Sequence, residues 1–157
     1  MRWSDKCMLE LTHHNLFEND EHRSRFRDLL ECYSEAPFFT KGLCKCMYLS
    51  AWDNEHFAVM LDILNAMTIN RQNNLDDMKD QGEVLEAAAE NGELKDASSA
   101  EIWKLSNAFL NNKPYDSSSL RSLEIEDPDT AYLLKRALLT ADVIDQIPGK
   151  EDRRVYT

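Results

Sequence analysis

Apolar residues along this chain recur at intervals of three and four, and nowhere do they alternate with polar residues over a run longer than about four. That is the pattern of amphipathic helices, not of strands. The first 16 residues are weakly patterned, with Met8, Leu9 and Leu11 suiting a short lead-in helix or strand. From Asn19 the signal sharpens. Asn19 or Asp20 can cap a helix, and Asp20 and Glu21 place negative charge in its first turn, where the helix dipole favours it. His22, Phe26, Leu29, Leu30 and Tyr33 then follow on one face, predicting a helix over 20–34 that Pro37 prevents from continuing.

Thr40 can cap a second helix, with Leu43, Cys44, Met47, Tyr48 and Ala51 on one side. Trp52 closes it and Asp53 caps a third, where Phe57, Met60, Leu61 and Leu64 fall at helical spacing. No Gly or Pro lies between Leu43 and Met67, so the pair is either hinged near Ser50–Asn54 or one bent rod. Residues 68–74 are polar and turn-prone, and residues 68–97 read as a mobile acidic segment with thin apolar content. Ser98 or Ser99 can cap the next helix, whose predicted buried face is Ile102, Trp103, Ser106, Phe109 and Leu110, and Asn111, Asn112 and Pro114 end it. A short turn at Leu120–Ile125 reads as 3₁₀ or helix. Asp127-Pro128 is a strong start signal, an acidic cap followed by Pro at the first helical position. The last helix carries Tyr132, Leu134, Leu138, Ala141 and Ile144, with Leu133 and Leu139 widening the stripe, before Pro148-Gly149 and a charged tail at 150–157 that reads as frayed. The expectation is an all-α single domain over 1–157, built of five to seven amphipathic helices.

One internal echo stands out. Asn19–Leu30 and Asp53–Leu64 share Glu, His, Asp and the final Leu at a 34-residue period, the period of helix-pair repeats. A third copy at 87–98 does not match, so shared capping chemistry explains the likeness better than a solenoid.

Composition narrows the classes. With 157 residues, 43% of them hydrophobic, the chain can bury a core, and four Gly and four Pro are too few for a turn-rich β fold. No apolar run reaches the roughly 18 residues of a membrane-spanning helix, and the N-terminus lacks the apolar stretch of a secretion signal. Four Cys without such a signal suggest a reduced, cytoplasmic chain. The net charge is −11, and residues 61–100 carry nine acidic against three basic side chains. Such a surface repels nucleic acid and anionic lipid and attracts basic partners. The expected partner is therefore a protein, one with a basic surface, with no direct nucleic-acid binding and no membrane association. On a helix, Asp76, Asp80, Glu83, Glu86 and Glu90 would lie along one side. With Asp77 and Glu93 they form a candidate interaction surface, though runs of this kind are usually solvated faces.

The chemistry-bearing residues are few. Cys44-Lys-Cys46 has one residue between sulfurs, where structural zinc wants two to four, and residues two apart on a helix point roughly 200° from one another. Cys44 reads as core and Cys46 as its edge. Glu21-His22 and Glu55-His56 invite a metal or acid–base reading, but ligands on one helix face are spaced i, i+3, as in Glu-x-x-His. No phosphate loop, nucleophile elbow, zinc-protease or kinase signature occurs. The residues thus point to no cofactor, no metal and no catalytic set, with His22, His56, Glu21 and Glu55 left as the only candidates for chemistry. Trp3, Tyr115 and Tyr156 are further candidates for a surface contact.

Phe17–Phe26 with Leu29-Leu30, Trp103–Asn112 after Ser98-Ser99, and Asp127–Ala137 resemble a family of small helical proteins of Firmicutes genomes, often carried on mobile elements and described as a domain of unknown function. The resemblance implies a bacterial, cytoplasmic, helical protein and brings no catalytic residues with it. Three functions fit: a non-enzymatic protein-interaction or regulatory module, an acidic inhibitor occupying the basic nucleic-acid-binding surface of a host or defence protein, and an enzyme built on His22 and His56.

Overall fold

Asn19 caps as expected: its Oδ1 accepts from the His22 amide at 2.8 Å, and α2 runs Asp20–Tyr33. In the computed structural model, which describes residues 2–72 and 97–149, the other helices are α1 (Trp3–His13), α3 (Lys41–Ser50), α4 (Asn54–Gln72), α5 (Ala97–Leu110), α6 (Leu120–Glu126) and α7 (Pro128–Gln146), with a 3₁₀ turn at Ser117–Ser119. No strand occurs among the described residues, and the chain is all-α. The carboxylates Asp76, Asp77, Asp80, Glu83, Glu86, Glu90 and Glu93 lie outside the described residues, as do the tail expected to fray and Tyr156.

The weakly patterned N-terminus is helix rather than strand. It ends where Asn15 takes a left-handed φ of 54°, so that the Asn15 amide reaches Thr12 O and the Leu16 amide reaches Leu11 O. Asn112, at φ 53°, ends α5 the same way, with amides of Asn112 and Lys113 returning to Phe109 O and Ala108 O. Both endings satisfy last-turn carbonyls that would otherwise lack partners, and Asn tolerates the left-handed region better than most residues.

Between α3 and α4 the chain is hinged, not a bent rod. Asp53 caps α4 by accepting from the His56 amide at 2.8 Å. Arg25 of α2 collects the carbonyls freed at the turn, donating to Ala51 O at 2.5 Å and Trp52 O at 2.7 Å, and to Asn54 Oδ1 at 3.2 Å. The 34-residue echo is therefore an echo of two caps, Asn19-x-x-His22 and Asp53-x-x-His56.

Helix α3 is the centre of the fold, touching α2, α4, α5 and α7. It is buried on nearly every side, so Cys46 belongs to the core and not to its edge, along with Leu49 and Ser50. Gly42 lets α3 cross α5 closely: a Cβ there would sit 2.6 Å from the Phe109 carbonyl oxygen. Buried Lys41 donates to Asp145 O at 3.2 Å, and Lys45 pairs with the Asp145 carboxylate at 2.8 Å, placing two cations at the carbonyl end of α7.

Several stripes are rotated from expectation. Helix α4 continues through residues 68–72, which the polar composition marked as a turn, and buries His56, Met60, Ile63 and Leu64. Helix α5 already runs at Ala97, so Ser98 and Ser99 lie inside it, and its buried set includes Glu101 and Leu105. Helix α7 buries Ala131, Leu133, Leu134, Ala137, Ala141 and Ile144, while Tyr132 and Leu139 face outward. Leu and Tyr on both sides of a helix leave two overlapping stripes in the sequence, and the small residues Ala131, Ala137 and Ala141 lie on the one that is buried. Trp3, expected at the surface, is buried edge-on against Phe39 with ring centroids 5.7 Å apart.

Candidate functional site

The two histidines singled out by the sequence are both buried, and each serves its own helix start. His22 Nδ1 accepts from the Glu18 amide at 3.1 Å. Its Nε2 lies 2.9 Å from the Tyr48 carbonyl, which can only accept, so the proton is on Nε2 and the ring is neutral. Burial drives the His22 pKa down from 6.5 to about 4, against the opposing hydrogen bond to Tyr48. Around it Tyr48 donates its hydroxyl to Leu16 O, and Arg136 of α7 pairs with Glu18 at 3.0 Å and donates to Asn15 O and to the Tyr132 hydroxyl. These groups join the α1–α2 connection to α3 and α7.

His56 is held differently. Its Nδ1 donates to both Asp53 oxygens, at 2.8 and 3.0 Å, and its ring lies between Trp52 and Trp103 at centroid distances of 5.7 and 5.5 Å. Burial opposes charge on Asp53, but the hydrogen bonds from His56 outweigh it and the Asp53 pKa is lowered. Glu21 and Glu55 are exposed while their neighbouring histidines are buried, and the two histidines have different hydrogen-bond and ring partners. The structure does not bring the four residues together. Among the described residues, no three His, Cys, Asp or Glu side chains converge as metal ligands do, and no helix is long and apolar enough to cross a membrane.

Cys44 and Cys46 diverge as their spacing requires: Cys44 Sγ lies 3.9 Å from Cys7 Sγ on α1, and Cys46 Sγ donates to Ser106 O on α5 at 3.1 Å. Burial pushes the Cys46 thiol up to about 12. On α5, buried Glu101 accepts from the Tyr115 hydroxyl, and burial followed by this bond raises the Tyr115 pKa. Lys104 lies 3.8 Å from Glu101 and over the Tyr115 ring, beside a shallow surface hollow of about 210 Å³. The half-buried Tyr115 is thus an internal contact more than a protruding one.

Among the described residues, the large apolar side chains that face outward lie on α1, α6 and α7. Leu9 and Leu139 are each 58% exposed and Tyr132 is 53% exposed; Ile125 on α6 is 86% exposed. Between α1 and α7 runs an open groove of about 280 Å³, lined by Lys6, Leu9, Glu10 and His14 and by Val143 and Gln146. Leu139 stands one turn before Val143 on α7. Its apolar character was legible in the sequence, but the helix face was not, because its neighbour Leu138 could serve the core equally well. Leu9 carried even less signal, since α1 has no clean stripe.

The chain matches no protein-family model, no curated protein and no solved structure.

Proposed function

We propose that this protein is a non-enzymatic interaction module that engages a partner protein through the surface formed by α1 and α7. The observation that carries the reading is Leu9, 58% exposed on the wall of an open groove whose other side includes Val143 of α7, with the equally exposed Leu139 one helical turn before Val143. A lone exposed leucine is ordinary, but apolar side chains gathered at a concave surface are what partner helices and extended segments pack against. The polar chemistry points the same way: His22 and His56 are engaged in capping and internal hydrogen bonds.

The test is affinity capture on the tagged full chain at low and high salt, comparing the native sequence with Leu9→Asp/Leu139→Asp. Both positions are exposed, so the double variant keeps its helical circular dichroism and melting temperature. Loss of a stoichiometric partner in the double variant, at both salt concentrations, supports apolar docking. A partner retained by the double variant overturns it.

A second reading rests on charge alone. With net −11, and nine acidic residues against three basic ones over residues 61–100, the chain suits an inhibitor that covers a basic nucleic-acid-binding surface. Capture that is indifferent to Leu9 and Leu139 but lost at high salt favours this alternative.

A further inference from the structure

Cys7 of α1 and Cys44 of α3 are 37 residues apart in sequence, are fully buried, and place their sulfurs 3.9 Å from each other. That is van der Waals contact, and a disulfide at about 2.05 Å brings the two sulfurs about 2 Å closer. The other thiols have no such opportunity. Cys46 lies two residues along α3 with its Sγ turned to Ser106 O, and Cys32 is exposed on α2. Nothing in the spacing along the chain singles out Cys7 as the partner of Cys44; only the packing of α1 does.

We propose that Cys7 and Cys44 form an oxidisable dithiol pair that closes under hydroperoxide to fasten α1 to α3. One sulfur attacks a peroxide oxygen, the O–O bond breaks, and water leaves with that thiol's proton, giving a sulfenic acid. The second sulfur displaces the hydroxyl, the S–S bond forms, and the second thiol proton leaves with that hydroxyl as a second water. Two thiols are oxidised by two electrons and one hydrogen peroxide is reduced to two waters.

Burial also sets the rate. It pushes the Cys44 thiol well above its ordinary range, with the Cys7 thiol beside it adding to the effect. Cys44 therefore stays protonated in the closed fold, both sulfurs are shut away from solvent, and reaction waits for local opening of α1. Cys7 lies between Lys6 and Leu9 of the α1–α7 groove, so the bond fixes that wall of the groove in place.

The experiment uses the full chain carrying Cys32→Ser, which removes the exposed thiol. It is exposed to hydrogen peroxide, unfolded, alkylated and mapped by peptide mass spectrometry. The expected product is a linked pair of peptides containing Cys7 and Cys44, lighter than their sum by two hydrogen atoms and separated by dithiothreitol. Its melting temperature rises by about 5–15 °C over the reduced form, as a cross-link closing a loop of this length implies. Cys7→Ala in the same background shows no such rise; should that variant not fold, the peptide map decides alone. Full alkylation of Cys7 and Cys44 after peroxide treatment, or a link involving Cys46 instead, overturns the proposal.

Discussion

His22 is where a single side chain makes the stability of the fold depend on pH. Its ring is buried, accepts from the Glu18 amide and donates to the Tyr48 carbonyl. Protonating Nδ1 would set two N–H groups against each other in a site that already disfavours charge. The folded-state value of about 4 lies below the ordinary 6.5, so the unfolded chain takes up the proton first. Stability from this group is complete above 6.5 and erodes as pH falls toward 4; below that both states are protonated and the loss stops. The gap from 6.5 to about 4 corresponds to about 3 kcal/mol. Urea midpoints measured between pH 7.5 and pH 4.5 should therefore fall steeply for the native chain. His22→Gln, which can accept and donate at similar places, should start lower and fall less. Parallel curves for the two would remove His22 from the account and leave the acid sensitivity to carboxylates. The residue itself was visible in the sequence as the third position of a capped helix. Its burial was not, since histidine sits as readily on a wet face as under a cap.

Helix starts and stops were the most legible features of this chain, because they are written in local chemistry. Asn19, Thr40, Asp53 and Asp127 all cap as their side chains suggest, each accepting from a backbone amide in the first turn. The facing of helices was less legible. On α7 two apolar stripes overlap, and on α3 nearly every side is buried, so periodicity alone could not decide. Close helix crossings leave almost no trace, and Gly42 is the one that matters here. A Gly→Ala change inside a helix ordinarily stabilises by about 0.4–1 kcal/mol when the site is free. At Gly42 the new Cβ would meet the backbone carbonyl of Phe109 at 2.6 Å, and a backbone atom cannot swing aside as a side-chain tip can. Gly42→Ala should therefore reverse the usual sign and destabilise by about 1–3 kcal/mol, read from chemical denaturation. A raised midpoint would show that α3 and α5 separate without cost and that their crossing does not constrain the core.

At the scale of the whole molecule the charge matters more than any one contact. The carboxylates at 76–93 are a candidate acidic surface on sequence grounds, while the α1–α7 groove leaves no mark in the sequence because it joins residues over a hundred positions apart. The net charge of −11, by contrast, acts on the molecule wherever the carboxylates lie. Like charges held close in the folded state repel more than in the expanded chain, so the excess costs stability that salt can restore. Raising ionic strength from about 0.01 M to 0.15 M shortens the screening length from about 30 Å to 8 Å. At pH 7.5 this should raise the melting temperature by a few degrees. Near pH 5, close to the isoelectric point of about 4.8, the same addition of salt should change it little, because the net charge has nearly gone. The comparison is between salt increments at each pH, so the loss of stability caused by His22 at the lower pH drops out. An equal increment at both pH values would mean that specific ion binding, not self-repulsion, is what salt relieves, and the acidic excess would then have to be confined to parts of the chain that do not crowd together on folding.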